Sequence, residues 1–114
     1  METMETIILK NLIQNEDYTR RVVPFLDEEY FKDRNERIVY TIIRDHIHKY
    51  NRSPNRDALI IALDDRGGMT EQSYKDTSII IKSITDTVDP VDNEWLMDQT
   101  EKFCKDKAVY NAIL

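Results

Sequence analysis

The residues best suited to bind a metal ion are an aspartate and two histidines near the middle of the chain, Asp45, His46 and His48. On a helix, positions i and i+2 point to different faces, so His46 and His48 cannot easily share one ion. His46 also falls on an apolar stripe, which favours a partly buried histidine over a ligand. Two dispersed histidines lack the ligand spacing of zinc sites. We therefore expect no metal here.

A second group of potential ligands is acidic and surrounds Pro90: Asp86, Asp89, Asp92 and Glu94. It resembles a calcium-binding loop only in composition, because the DxDxDG frame with its glycine and distal glutamate is missing. Negative charge is also favourable at the start of a helix, where backbone N–H groups point outward. Asp92 and Glu94 are therefore interpreted as capping residues of a helix that begins there.

Cys104 is the single cysteine, so an internal disulfide and a CxxC-type zinc site are excluded. Lys102, Lys105 and Lys107 lie nearby and could lower the pKa of its thiol, but no histidine or other base is identifiable as a partner. The chain also contains no GxxxxGKS/T, HExxH, GxSxG or GxGxxG motif. Nucleophilic catalysis is not supported, and Cys104 is interpreted as a core or interface residue.

The composition predicts one soluble, cytosolic domain without a membrane span. The 114 residues, two-fifths of them apolar, suffice for a core. The longest apolar run, 58–63 (ALIIAL), has six residues, too few to span a membrane, and the amino terminus is acidic, unlike a signal peptide. A net charge of −6 disfavours tight non-specific nucleic-acid binding. Arg52, Arg56 and Arg66 could form a local basic strip or simply a solvated rim.

The apolar pattern predicts an all-α fold, a compact bundle of about six helices. Asp17 is the expected N-cap of the second helix, and Asn55 and Thr70 are expected to begin the fourth and fifth. The clearest helix spans about 33–50, ending before Pro54. The buried face of the fifth helix is expected at Tyr74, Ile81 and Ile84. The sixth begins near Asp92, and its apolar members are Trp95, Leu96, Phe103, Tyr110 and Leu114.

The sixth helix has no glycine, proline or polar tail before Leu114. This favours a chain cut within a longer helix, the alternative being a natural end docked on the core. Trp95 and Phe103, eight positions apart, are expected to share a face that is either core or an interface ridge. The part beyond Lys107 is the better candidate for pairing with another chain.

Several short segments match one known family in order and spacing. They are, in chain order, 5–9 (ETIIL), 12–13 (LI), 23–26 (VPFL), 29–31 (EYF), 40 (Y), 43–50 (IRDHIHKY), 54–55 (PN), 58–59 (AL), 62–63 (AL), 95–96 (WL), 100–102 (TEK) and 110–112 (YNA). Together they cover nearly the whole chain, although each is unspecific alone. The chain resembles the amino-terminal domain of DnaB-type replicative helicases, most closely that of T-even-like bacteriophages.

The resemblance implies a helical head over residues 1–90 and the start of a truncated helical hairpin over 91–114. It implies self-association into dimers or a hexameric ring, and docking of primase and of a loader in some systems. The ATPase domain, with its ATP, magnesium and main DNA contacts, would be absent here, so no cofactor is expected in this chain. The full-length protein would unwind DNA 5′–3′ in the cytoplasm of the infected bacterial host.

Specific residues follow from this interpretation as hypotheses. The subunit interface is expected on the exposed side of the last helix: Phe103, Lys107, Tyr110 and Leu114. Partner docking is expected around Arg52 and Arg56, on the loop between the third and fourth helices. The alternative is a free-standing small helical adaptor that binds replication proteins. An enzyme is disfavoured, because no constellation of residues meets the geometric requirements of catalysis.

Overall fold

Six α-helices and two short 3-10 turns make up the described part of the chain, residues 2–113 of a computed structural model. The helices are α1 (Met4–Gln14), α2 (Glu16–Val22), α3 (Arg34–Tyr50), α4 (Arg56–Arg66), α5 (Glu71–Asp86) and α6 (Asn93–Ile113). The 3-10 turns, Val23–Phe25 and Glu28–Tyr30, connect α2 to α3. No strand occurs among these residues, which confirms the expected all-α class.

Side chains that cap the helices explain most of the boundaries. Thr3, Asp33, Asn55 and Thr70 each accept a hydrogen bond from a backbone N–H in the first turn that follows. The expected cap at Asp17 is wrong. Asn15 caps α2, because α2 begins two residues earlier than the apolar pattern suggested and includes Asp17 in its first turn.

Helix α1 lies at the centre of the bundle, where α2, α3, α5 and α6 all contact it. Its residues Ile8, Leu9 and Leu12 are completely buried. Helix α3 packs against α5 and α4 on one side, and the 3-10 turns bring Leu26 and Phe31 into the same core. Burial of this apolar surface is the main source of the fold's stability.

Helix α5 buries the face that the sequence predicts. Ile81 and Ile84 are buried, Tyr74 is half-buried, and Thr77 packs in the core with its hydroxyl bonded to the carbonyl oxygen of Ser73 at 2.8 Å. Helix α4 likewise buries Leu59 and leaves Ile61 on the surface.

Helix α6 uses a different face from the expected one. Leu96, Thr100 and Phe103 are buried, whereas Trp95 is 45% exposed and Tyr110 is 54% exposed. The expectation that Trp95 and Phe103 share a face is wrong, because eight residues at about 100° each leave them about 80° apart around the axis. Leu114, expected on the same face, lies outside the described residues.

The part of the chain that the structure describes contains no helix with the length and apolar content needed to cross a membrane.

Candidate protein-docking surfaces

The two histidines do not form a metal site. His46 is half-buried and its ring packs at 4.7 Å, centroid to centroid, on Tyr50, while His48 is exposed. Burial, with the nearby charge of Arg52, lowers the pKa of His46 below its ordinary value of 6.5. Within residues 2–113, no group of three or more histidine, cysteine or acidic side chains is arranged to hold a metal ion.

The acidic residues around Pro90 are used for structural contacts. Asp92 accepts a hydrogen bond from the backbone N–H of Glu94 at 3.2 Å, as expected of a helix cap. Asp89 binds the ammonium group of Lys10 at 2.8 Å. Asp86 lies 3.7 Å from the guanidinium of Arg56. These contacts explain three of the four carboxylates without an ion.

Lys10 forms a buried structural contact that was not predicted from the sequence. Its side chain is only 8% exposed, and its ammonium group also lies 3.0 Å from a carboxylate oxygen of Glu2. Gln14 donates to the backbone carbonyl of Asp89 at 3.0 Å, and Asn15 donates to the side chain of Asn93 at 2.7 Å. Together these contacts attach the segment between α5 and α6 to α1. The available signal was the position of Lys10 on the buried side of an amphipathic helix.

Cys104 has the properties of an unreactive thiol. It is half-buried, and burial raises its pKa above the ordinary value of 9.0. Two of the three lysines that could have lowered that pKa have other contacts. Lys105 pairs with Glu101 at 2.9 Å, and Lys107 lies over the ring of Phe103 at 5.6 Å.

The two arginines expected to dock a partner lie in different surroundings. Arg56 donates through Nε to the hydroxyl of Thr85 at 2.7 Å and through Nη2 to the carbonyl of Lys82 at 3.2 Å. It therefore attaches the start of α4 to the last turn of α5. Arg52 is exposed and lines an open polar cleft of about 630 Å³ together with Tyr50 and Arg20. Of the two, Arg52 is the more available for a partner.

The residues expected at a subunit interface do not share one exposed surface. Phe103 is 8% exposed and packs 6.1 Å, centroid to centroid, from Phe31, so its expected place on the exposed side of α6 is wrong. Lys107 is half-buried against Phe103, and Tyr110 is exposed. Leu114 lies outside the described residues.

The end of α6 carries an exposed apolar ridge, which we call the α6 ridge: Val109, Tyr110 and Ile113, which are 60%, 54% and 79% exposed. No residue after Phe103 in the described part of α6 is buried. A contiguous exposed apolar ridge of this kind is a feature of surfaces that contact another molecule.

A groove lies beside the proximal part of α6 and is called here the α2–α6 groove. One wall is formed by Val22, Phe25 and Tyr30, and the other by Met97, Cys104 and Ala108. Its volume is about 470 Å³, and Phe25 at its edge is 71% exposed. Sequence reasoning missed this groove, because its walls are about 75 residues apart in the chain and only the tertiary fold brings them together.

Comparison with known proteins finds a relative over nearly the whole chain. No family model matches the chain. Over 109 residues, 96% of its length, the chain is 33% identical to a DnaB-like replicative helicase of Enterobacteria phage T4. It spans 22% of the length of that relative and matches its N-terminal domain. The chain is therefore homologous to the N-terminal domain of DnaB-like replicative helicases.

Proposed function

We propose that this chain is the N-terminal assembly and docking domain of a bacteriophage replicative DNA helicase. The observation that carries the proposal is the 33% identity over 96% of the chain to a phage replicative helicase. Because the chain spans only 22% of that relative, the ATP- and magnesium-dependent 5′–3′ unwinding of DNA is assigned to a following domain. The whole protein then acts in the cytoplasm of the infected bacterium.

Two features support a non-catalytic role for these residues. The polar side chains that could take part in catalysis have structural partners instead. Asp89 binds Lys10, and Arg56 forms hydrogen bonds with the end of α5. Four of the nine large apolar residues that are exposed among residues 2–113 lie on the α6 ridge or at the edge of the α2–α6 groove: Val109, Tyr110, Ile113 and Phe25. Such a surface suits protein–protein contact better than catalysis.

Assembly into dimers or a hexameric ring is assigned to the distal half of α6. In a ring, the α6 ridge is covered by a neighbouring subunit or by chain that follows it. Tyr110 is the exposed anchor of this contact, and Lys107 lies beside it. Phe103 contributes indirectly, because the ammonium group of Lys107 lies over its ring at 5.6 Å.

Docking of primase, or of a loader, is assigned to the loop between α3 and α4. Arg52 is exposed there and its charge has no ion-pair partner among residues 2–113, so it can pair with an acidic group of a partner. Arg56 holds the loop in place through its bonds to α5.

The first test is to read the coding sequence beyond Leu114. An open frame with a GxxxxGKS/T motif in the following few hundred residues supports the helicase. A stop codon directly after Leu114 refutes it and favours the free-standing adaptor.

The assembly role is tested in the full-length protein by light scattering. Tyr110→Lys places a charge in the ridge and should shift the assembly towards smaller species. Trp95→Lys, a similarly exposed aromatic on the proximal half of α6, is the matched control. Equal assembly of both variants and the parent protein would refute the role of the α6 ridge.

The docking role is tested by the affinity for the primase encoded in the same genome. Arg52→Glu should weaken binding, whereas Arg66→Glu, an exposed arginine at the end of α4, should not. Unchanged affinity in the Arg52 variant would exclude this loop as the docking site.

A further inference from the structure

The α2–α6 groove has the length needed to bind one helix. Its lining residues on α6 run from Met97 to Ala108, eleven positions, or about 16 Å along the helix axis. That distance is about three helical turns. The α6 wall ends in two small side chains, Cys104 and Ala108, which allow a neighbouring backbone to approach closely. The opposite wall offers two aromatic rings, Phe25 and Tyr30.

The floor of the groove has no free hydrogen-bonding group to hold a small polar ligand. Thr100, its most deeply buried residue, shares its hydroxyl with the hydroxyl of Tyr18 at 2.7 Å. On the α6 rim, Glu101 and Lys105 neutralise each other at 2.9 Å. The contacts that the groove offers are therefore mainly apolar.

Acidic residues lie near one side of the groove. Asp27 and Glu29 lie between Phe25 and Tyr30 in the chain, and both are exposed. They are close enough to the Tyr30 hydroxyl to act on it: burial, the nearby Cys104 and the charges of these two carboxylates raise the pKa of Tyr30. Neither forms an ion pair with another side chain of residues 2–113. Together with the net charge of −6, this favours a cationic partner.

We propose that the α2–α6 groove binds an amphipathic helix of a partner protein, with an apolar stripe against Phe25 and Ala108 and lysine or arginine residues facing Asp27 and Glu29. Anchors at i, i+3 or i+4, and i+7 of such a helix match a groove three turns long. The inference rests on the proposed role of this chain as a docking domain and adds a second docking surface to the loop between α3 and α4.

A second copy of this chain fits the groove less well. Its own exposed apolar segment, the α6 ridge, is preceded by Asp106 and Lys107, which give no net positive charge.

The test uses a fluorescent synthetic peptide of about 18 residues, five helical turns, with leucine on one face and lysine on the other. A peptide with glutamate in place of lysine is the matched control. Fluorescence anisotropy with the whole chain should show binding of the lysine peptide that weakens as salt is added. The glutamate peptide should bind at least about tenfold more weakly.

Two pairs of variants locate the contact. Ala108→Trp fills the groove at an exposed position and should weaken binding of the lysine peptide at least about tenfold. Val109→Trp, the next residue outside the groove, should change it less than about twofold. Glu29→Gln should weaken binding about threefold, and Glu71→Gln, on α5, should leave it unchanged.

Labelling of Cys104 gives an independent readout, since the thiol lines the groove. The bound lysine peptide should slow its modification. Equal binding of both peptides, or equal loss in the Ala108 and Val109 variants, overturns the proposal. So does a dimer that disappears only in Ala108→Trp, because the groove is then covered by a second copy. Assembly of the full-length protein is measured separately, so failure here leaves that role standing.

Discussion

Removing Lys10 and removing Asp89 should destabilise the protein by different amounts, although both changes break the same 2.8 Å contact. The reason is that the two partners differ in exposure. The Lys10 side chain is 8% exposed, whereas that of Asp89 is 54% exposed. A charge left without its partner is costly only where water cannot replace the partner.

The size of the difference follows from what each variant leaves behind. Lys10→Met keeps the buried stem and leaves Asp89 and Glu2 in water, so the free energy of unfolding should fall by less than about 1 kcal/mol. Asp89→Ala leaves the ammonium group enclosed with Glu2 as its remaining partner and should cost about 2 kcal/mol. The backbone contact from Gln14 to Asp89 persists in both.

The double variant Lys10→Met/Asp89→Ala tests whether the two costs simply add. Once Lys10 is methionine, no buried ammonium group remains to be stranded, so adding Asp89→Ala should cost little more. The free energies are measured by urea unfolding, followed by far-UV circular dichroism.

The same contact has a defined pH dependence. Hydrogen bonds to Asp89 and Glu2 raise the pKa of Lys10 above its ordinary value of 10.5. Its stabilising contribution is therefore fully present below pH 10.5 and is lost as the pH rises through the folded-state pKa. A cost for Lys10→Met equal to or greater than that for Asp89→Ala, or costs that simply add, would refute the reasoning.

Three further predictions concern the core and a titratable group. Leu96→Ala removes a completely buried side chain that anchors α6 and should lower the free energy of unfolding by about 3 kcal/mol, measured by urea unfolding. Tyr18→Phe leaves the buried hydroxyl of Thr100 without its partner and should cost about 1 to 2 kcal/mol in the same assay. Its control is Tyr40→Phe, since the buried Tyr40 hydroxyl has no hydrogen-bond partner within residues 2–113, and this change should not lower the free energy of unfolding. His46 should titrate below 6.5 in an NMR pH series, so its contribution to stability is complete above pH 6.5 and declines as the pH falls through the folded-state pKa. An NMR midpoint above 6.5 would contradict the burial of this ring.

Much of the fold could be predicted because local chemistry and tertiary packing agree. Asn55 and Thr70 are good capping residues at the starts of α4 and α5, and the structure uses both. The apolar periodicity of α3 predicts Val39, Ile42 and Ile43 on its buried face, and they are buried. It also predicts Tyr50 on that face, which is wrong, because Tyr50 is exposed and Tyr40 is buried instead.

The failures occur where the sequence offers more than one solution. Near α2, both Asn15 and Asp17 are suitable caps, and the packing of Tyr18 and Val22 selects the earlier one. Helix α6 has apolar residues on several faces, and contact with α1 and α2 decides that Leu96 rather than Trp95 is buried.

The candidate surfaces were harder to predict than the helices. Arg56 appeared free in the sequence, and only its distance to Thr85 shows that it is occupied. The α2–α6 groove depends on Phe25 and Ala108 lining the same cavity from opposite walls, which no local pattern encodes. The sequence does indicate that the distal part of α6 has little core to cover, and the exposed α6 ridge agrees with that.

No residue of α6 from 104 to 113 is buried, so the two halves of this helix are stabilised in different ways. Residues 104–113 form ten positions of helix, fewer than the roughly 12 to 15 that an isolated helix needs to be even marginally stable in water. These residues therefore stay helical because they continue the backbone hydrogen bonds of the packed half of α6. Any molecule that covers the ridge also stabilises this helical segment, so slower amide exchange there would report contact with a neighbour before any change reached the core.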